Sequence, residues 1–249
     1  MSTAQFYDRL APFYHLVYPD WEFSVRRQAV ALDKLIKSQW GGDIRSVLDV
    51  ACGVGTQALG LAQLGYEVTG SDISAAELES ARREASARGL SITFSQADMR
   101  EAYSHHGRQF DLVIACDNSV PHLLSDDDLL AAFGEFFKCT RPGGGCILSV
   151  RDYDKEERDG VHLKPLGVRT EGEARYSVFQ VWEFKGPIYD LSMYFVEDRP
   201  GADCVTHVMR TQYYAVTRDR LISLMREAGF REVQWLDHPY PQPVILGVR

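Results

Sequence analysis

The sequence predicts a doubly wound α/β fold with a mostly parallel seven-stranded sheet, an N-terminal helical cap and a small antiparallel strand insertion. Three observations predict it. Between residues 46 and 150, short apolar runs alternate with helical patterns, as parallel strands joined by helices require. A glycine turn, Cys52-Gly-Val-Gly55, joins the first run to its helix. Between 155 and 216 the pattern changes to aromatic and β-branched runs split by short turns.

Residues 1–45 read as the cap. They carry Phe6, Tyr7, Phe13, Tyr14, Tyr18, Trp21 and Phe23, and Pro12 and Pro19 break them into pieces. Trp21 to Ile36 has helical spacing through Val25, Ala29, Leu32 and Leu35. Two accounts fit these rings: packing on the main body, or a lid whose aromatic walls suit a sulfonium or ammonium cation.

Val47, Leu48 and Val50 suit a strand buried on both faces. Gly53 and Gly55 let the backbone approach a ligand or take a positive φ. Thr56 to Leu64 is the next helix, stopped by Gly65. The second strand, Val68-Thr-Gly70, ends on Asp72, whose carboxylate can accept both hydroxyls of a ribose. Ser74-Ala-Ala-Glu77 reads as a capping box opening a helix to about Ala87, closed by Gly89. Ile92-Thr-Phe94 is the third strand, with Asp98 and Met99 at its carboxyl end. Phe110 to Cys116 is the fourth and runs into Asp117-Asn118-Ser119-Val-Pro-His122. Ser125 with Asp128 opens a helix to about Lys138. Its acidic triplet reads as cap and dipole partners, and no metal is expected. Arg141-Pro-Gly-Gly-Gly145 is a turn, and Cys146 to Val150 is the fifth strand, ending at Arg151.

Residues 155–173 read as polar loop. Tyr176–Phe184, Tyr189–Glu197 and Val205–Val216 read as three inserted strands. A helix from Arg218 to Ala228 and strands at Glu232–Leu236 and Val244–Val248 close the chain. The expected organisation is one domain over 1–249. Its core is 46–154 and 217–249, and the 155–216 insertion forms an acceptor-side lid.

A net charge of −8 without a basic run speaks against nucleic acid or an anionic membrane as the main partner. Five cysteines, an odd number with no C-x-x-C pair, read as reduced thiols. Neither an 18-residue apolar run nor a signal-peptide start is visible, so a cytoplasmic protein is expected. Oligomeric state is not legible.

The glycine turn alone leaves its ligand open. Gly53, Gly55 and Ala58 also satisfy the loose dinucleotide pattern, so a nicotinamide or flavin nucleotide and S-adenosylmethionine both fit. The polar positions Gly53, Gly55, Asp72, Asp98, Asn118 and Arg151 all fall at the carboxyl ends of strands, where such sheets bind ligands.

With Leu48-Asp-Val-Ala-Cys-Gly-Val-Gly-Thr56, Asp72, Ala97-Asp98-Met99, Phe110-Asp-Leu-Val-Ile114 and Arg141-Pro-Gly-Gly144, the chain resembles the class I S-adenosylmethionine-dependent methyltransferases. The resemblance covers essentially the whole chain and implies their Rossmann-like core. It also implies that Ala51, Gly53 and Gly55 border the methionine part of the cofactor. Asp72 would hold the ribose, Ile73 and Met99 would flank the adenine, and Asp98 would accept from the adenine amino group. A narrower resemblance, to glycine and sarcosine N-methyltransferases, rests on Phe6-Tyr-Asp-Arg-Leu-Ala11, Asp20-Trp21, Arg27-Gln28, Asp117-Asn-Ser119 with His122-Leu123, Arg151-Asp-Tyr-Asp154 and Tyr240-Pro-Gln-Pro243. It implies that Asn118 contacts the acceptor amino acid and that Arg151 clamps its carboxylate. Trp21, Arg27 and His122 would lie near the cofactor. Taken alone, Arg151 could instead pair with Asp152 or Asp154 at the surface. Tyr194, Tyr213 and Tyr214 are further candidates for the pocket wall.

The expected activity is N-methylation of glycine, sarcosine or a similar carboxylate-bearing small molecule. The alternatives are another small N- or O-acceptor, or a protein that holds S-adenosylmethionine without turnover.

Overall fold

The structure is a computed structural model of the chain that describes residues 2–237 and 240–249. Its core is a seven-stranded sheet. β1 (Ser46–Asp49) lies at the centre, with β2 (Glu67–Asp72) and β3 (Thr93–Gln96) on one side. β4 (Phe110–Ala115) and β5 (Thr140–Ser149) lie on the other, followed by β11 (Val244–Val248) and, at the edge, β10 (Arg231–Leu236). β1 to β5 pair in parallel, and β11 runs antiparallel to both β5 and β10. The central strands are buried on both faces: Val47, Leu48, Leu112, Val113 and Ile114 are all inaccessible to solvent. Removing that much aliphatic surface from water is the main stabilising term of the core.

The turn expected at 141–145 is instead the first half of β5, whose register slips against β4 between Phe110 and Leu112. The first strand, both closing strands and the helices α3 (Thr56–Gln63), α4 (Ala75–Ala87), α6 (Asp126–Cys139) and α7 (Arg218–Glu227) fall where the sequence puts them, to within a residue or two. A short helix, α5 (Ala102–His106), lies in a stretch for which the sequence suggested no element.

The insertion is a four-stranded antiparallel sheet: β6 (Val161–Glu171), β7 (Ala174–Lys185), β8 (Ile188–Asp198) and β9 (Val205–Tyr214). The loop expected over 155–173 is therefore corrected, because most of it is β6. This is an edge strand with Val161, Leu163 and Val168 exposed and a register shift between Pro165 and Gly167. An edge strand tolerates proline, and the break at Pro165 and Gly167 interrupts the alternation begun by Val161 and Leu163, which hid the strand from the pattern.

The N-terminal segment divides between the two sheets. The helix α1 (Thr3–Leu10) and the 3-10 turn Ala11–Val17 place Phe6, Leu10 and Leu16 in one apolar cluster with Tyr153, Trp182, Tyr189 and Phe195, on the inner face of the inserted sheet. The helix α2 (Trp21–Trp40) instead packs on the core. Its buried stripe, including Val25, Gln28, Ala29, Leu32 and Leu35, recurs every three or four residues. Contact with α3 is close enough that a Cβ at Gly60 would stand 2.8 Å from the Val25 carbonyl oxygen.

Candidate active site

Two cavities meet between the core and the inserted sheet. The first lies at the carboxyl ends of β1, β2, β3 and β4 and encloses about 1100 Å³ of empty space, its open mouth included. Ala51, Gly53, Asp72, Ile73, Asp98, Met99 and His122 all line it. The glycine turn is built for close approach. Gly53 has φ 52°, and a Cβ there would stand 2.8 Å from Glu77 Oε2. Gly55 does not line the cavity. Buried behind the turn at φ 93°, it starts α3. The Gly53 N–H donates to Asp72 Oδ2 at 2.9 Å, and the Ser74 N–H donates to Asp72 Oδ1 at 2.9 Å. Burial nonetheless raises the Asp72 carboxyl above its ordinary range.

Two buried carboxylates in or beside the turn each carry an unpartnered oxygen. Asp49 Oδ2 and Glu77 Oε1 have no hydrogen-bond partner. Burial pushes Asp49 up to about 8 and Glu77 well up, the latter helped by the charges of Asp72 and Asp8. The Ser74–Glu77 capping box is half formed. Ser74 Oγ accepts from the Glu77 N–H, but the glutamate side chain turns into the cavity instead of back to Ser74. The box motif hid this role. The signal available in the sequence was an acid five residues beyond Asp72, on the helix that opens from the same strand end.

Asp98 is already engaged. Arg100 donates to it from its backbone N–H at 2.9 Å and from its guanidinium at 2.7 Å, and reaches Asp128 with its other hand at 2.7 Å. His122 is half-buried on the cavity wall, with Nε2 2.7 Å from Tyr7 Oη and its ring tilted against that of Tyr213 at 4.0 Å between centroids. Burial, aided by the nearby Arg151 charge, lowers its pKa to about 3, so it is neutral.

The second cavity, about 740 Å³ with its mouth, shares Tyr7, Tyr14 and Asp117 with the first. Its far wall is the inner face of the inserted sheet. Arg151 opens onto it. The guanidinium donates to Tyr189 Oη at 3.1 Å and lies 4.9 Å from the Trp182 ring centroid and 5.5 Å from that of Tyr213. It does not pair with its acidic neighbours, since Asp152 binds Lys155 and Asp154 binds Arg158. Among the described residues Arg151 has no carboxylate partner. Of the candidate tyrosines, Tyr213 lines this chamber. Strand alternation turns Tyr214 outward to Asp126, and Tyr194 stacks flat on Phe179 across the strands.

Three predicted residues take other positions. Asn118 is wholly buried at φ 66° and lines neither cavity. Its Oδ1 accepts from the Arg151 N–H at 3.0 Å, and its amide brackets Tyr153 Oη. It thus shapes the turn that presents Arg151. Arg27 is exposed on the outer side of α2, over Phe23, while the next residue, Gln28, is buried in the site. Trp21 reaches the first cavity only through Thr56, to whose Oγ1 its indole N–H donates at 2.9 Å. The sequence also missed a polar cluster at the junction of the cavities. Asp117 Oδ2 accepts from Tyr18 at 2.8 Å, Gln57 at 3.0 Å and Gln28 at 3.3 Å, and Tyr240 completes the cluster. Among the described residues, no group of three or more His, Cys, Asp or Glu side chains is placed to hold a metal ion.

The first cavity fits a nucleoside carrying positive charge. A buried acid stands at the second strand end, apolar side chains flank it, and two orphaned carboxylate oxygens lie beside the glycine turn. A family model described as a methyltransferase domain matches residues 47–144, the stretch that builds this cavity. The chain carries a methyltransferase domain and is an S-adenosylmethionine-dependent methyltransferase.

Among relatives of this methyltransferase, a glycine/sarcosine N-methyltransferase of Aphanothece halophytica is 26% identical over 193 residues, covering 76% of this chain and 67% of that protein. A glycine/sarcosine N-methyltransferase of Parasynechococcus marenigrum (strain WH8102) is 33% identical over 136 residues, covering 55% of this chain and 47% of that one. The solved structure of S-adenosylmethionine-bound CalS10, an amino pentose methyltransferase from Micromonospora echinaspora, matches the fold with a TM-score of 0.79. It does so at 19% identity, covering 91% of this chain and 92% of that one.

Proposed function

We propose that this methyltransferase methylates the amine nitrogen of a small molecule that also bears a carboxylate, with glycine and sarcosine as the leading acceptors. The observation that carries the reading is Arg151, a guanidinium on the wall of an aromatic chamber with no carboxylate partner among the described residues. Its planar donor fork matches a carboxylate in a bidentate grip. The two similar N-methyltransferases support glycine and sarcosine as acceptors.

S-adenosylmethionine supplies a methyl group on a positively charged sulfur, which is already a strong electrophile. The chain therefore needs little acid–base machinery, and positioning can supply most of the rate. Ala51, Gly53 and Asp72, with Ile73 and Met99, would hold the cofactor. Glu77, which lines the cavity, offers an acceptor for its ammonium or hydroxyl groups. Arg151 fixes the acceptor carboxylate, and Tyr7, Tyr14 and Tyr213 wall off water. The neutral amine then presents its lone pair to the methyl carbon. As the N–C bond forms, the C–S bond breaks with its electron pair going to sulfur, and the surplus proton on nitrogen leaves to solvent.

A labelled-methyl assay across amino acids, simple amines and amino sugars tests the reading. Turnover is expected with carboxylate-bearing amines. Turnover confined to acceptors without a carboxylate would overturn it.

A further inference from the structure

The acceptor chamber has two charged side chains on its wall among the described residues: Arg151 and Asp117. The rest of the lining is aromatic, aliphatic or neutral amide. Asp117 sits where the two cavities join, since it lines both. Its carboxylate is held by neutral donors alone. Oδ2 accepts from Tyr18, Gln57 and Gln28, whereas Oδ1 has only a 3.5 Å contact with Tyr240 Oη. No Lys, Arg or His among the described residues pairs with it. A half-buried carboxylate so placed attracts a cation, and no protein group supplies one. A second unfilled acceptor lies in the same chamber: Gln242 Oε1 is buried without a hydrogen-bond partner.

We infer that Asp117 is the amine-recognition residue of the acceptor chamber, and that with Arg151 it selects zwitterions, carrying an ammonium at one end and a carboxylate at the other. The inference rests on the proposed function above and sharpens it to a substrate class. The arrangement has a physical logic. An amino acid arrives with both groups charged, and a chamber that offered only a guanidinium would leave the ammonium desolvated and unpaired. Asp117 pairs it at the edge of the cofactor cavity, so the nitrogen waits beside the methyl group it will accept once its proton is shed. Tyr7, Tyr14 and Tyr18 line the same chamber, and aromatic side chains suit an ammonium that gains methyl groups. The positive φ of Asp117, 55°, holds this carboxylate at the junction at a cost most residues would not tolerate.

The test is calorimetry with S-adenosylhomocysteine bound, comparing sarcosine with butanoate, which has the same shape with CH₂ in place of the amine. The wild type is expected to bind sarcosine about 10- to 100-fold more tightly, the usual worth of a charged hydrogen bond. Asp117→Asn keeps the size and tolerates the positive φ. It is expected to bring the two ligands to near parity while leaving butanoate and S-adenosylhomocysteine affinities unchanged. Parity in the wild type would overturn the inference and leave the Arg151 grip standing; this arm does not depend on the variant folding. An undiminished preference in Asp117→Asn would also overturn it. So would a selective loss of S-adenosylmethionine over S-adenosylhomocysteine affinity with the preference intact, since Asp117 would then serve the sulfonium. If the wild type binds neither acid, the proposed function fails and this inference fails with it.

Discussion

The backbone N–H of Gly53 donates to Oδ2 of Asp72 across 2.9 Å, which ties the glycine turn after β1 to the acid that ends β2. The two features that mark the nucleoside site in the sequence are thus one hydrogen-bonded unit. Asp72→Ala leaves two buried N–H groups, those of Gly53 and Ser74, without acceptors, at about 1–3 kcal/mol each. It should lower the melting temperature by several degrees or more and weaken S-adenosylmethionine binding about 10- to 100-fold. Calorimetry on folded variant checks this, and unchanged affinity would remove Asp72 from the cofactor site.

Asp49 gives the unliganded protein an unusual pH response. An unfolded aspartate ionises near pH 4, whereas Asp49 in the fold keeps its proton to about 8. Between those values the unfolded chain holds fewer protons than the folded one, so this group's contribution to stability is lost as pH rises. Denaturant titrations of wild type and Asp49→Asn should differ most in slope across that window. A cationic cofactor group beside Asp49 would lower its pKa, so binding near neutral pH should release protons, read by calorimetry in buffers of different ionisation enthalpy.

His122 acts with the opposite sign. Its pKa is lowered from about 6.5 in the unfolded chain to about 3 by burial and then by Arg151. As pH falls through that interval the unfolded chain takes up a proton that the folded chain refuses, and stability is lost. His122→Gln should flatten the acid limb of the stability curve. Tyr7→Phe removes the 2.7 Å bond to His122 and leaves a half-buried ring nitrogen unpartnered, at about 1 kcal/mol. If Tyr7→Phe melts with the wild type, the cap is not tied down through this bond.

The cap helix α2 depends on Gly60. A Cβ there would lie 2.6 Å from the Ala29 methyl and 2.8 Å from the Val25 carbonyl. Gly60→Ala should therefore push α2 off α3 and cost about 1–3 kcal/mol, despite alanine's better helix propensity. A more stable Gly60→Ala protein would contradict the packing described.

Much of the core was legible because its signals are local. Buried strands read as continuous apolar runs, glycine marks the positive-φ turn, and Asp72 ends its strand where ligands bind. The site was less legible where a side chain's direction decides its role. Arg27 and Gln28 are neighbours in sequence, but one helical step turns the arginine to solvent and the glutamine into the Asp117 cluster. The buried stripe through Val25, Ala29 and Leu32 carried that information. Asn118 and Asp117 likewise exchange the positions a motif suggests. The asparagine is spent on Tyr153 and Arg151, and the aspartate faces the chamber. Glu77 was hidden because a capping-box pattern accounts for its backbone N–H and says nothing about where its carboxylate goes. The edge strand β6 was missed because Pro165 and Gly167 cut short the two-residue apolar period that Val161 and Leu163 begin.

On the proposed function, Arg151 selects a carboxylate on the amine being methylated. The most direct measurement is the ratio of kcat/KM for sarcosine over dimethylamine, which lacks the carboxylate, in the wild type and in Arg151→Met. The expected wild-type ratio is well above one and falls about 10- to 100-fold in the variant, through a raised sarcosine KM with S-adenosylmethionine affinity preserved. A wild-type ratio near one, or a ratio unmoved by Arg151→Met, would contradict it.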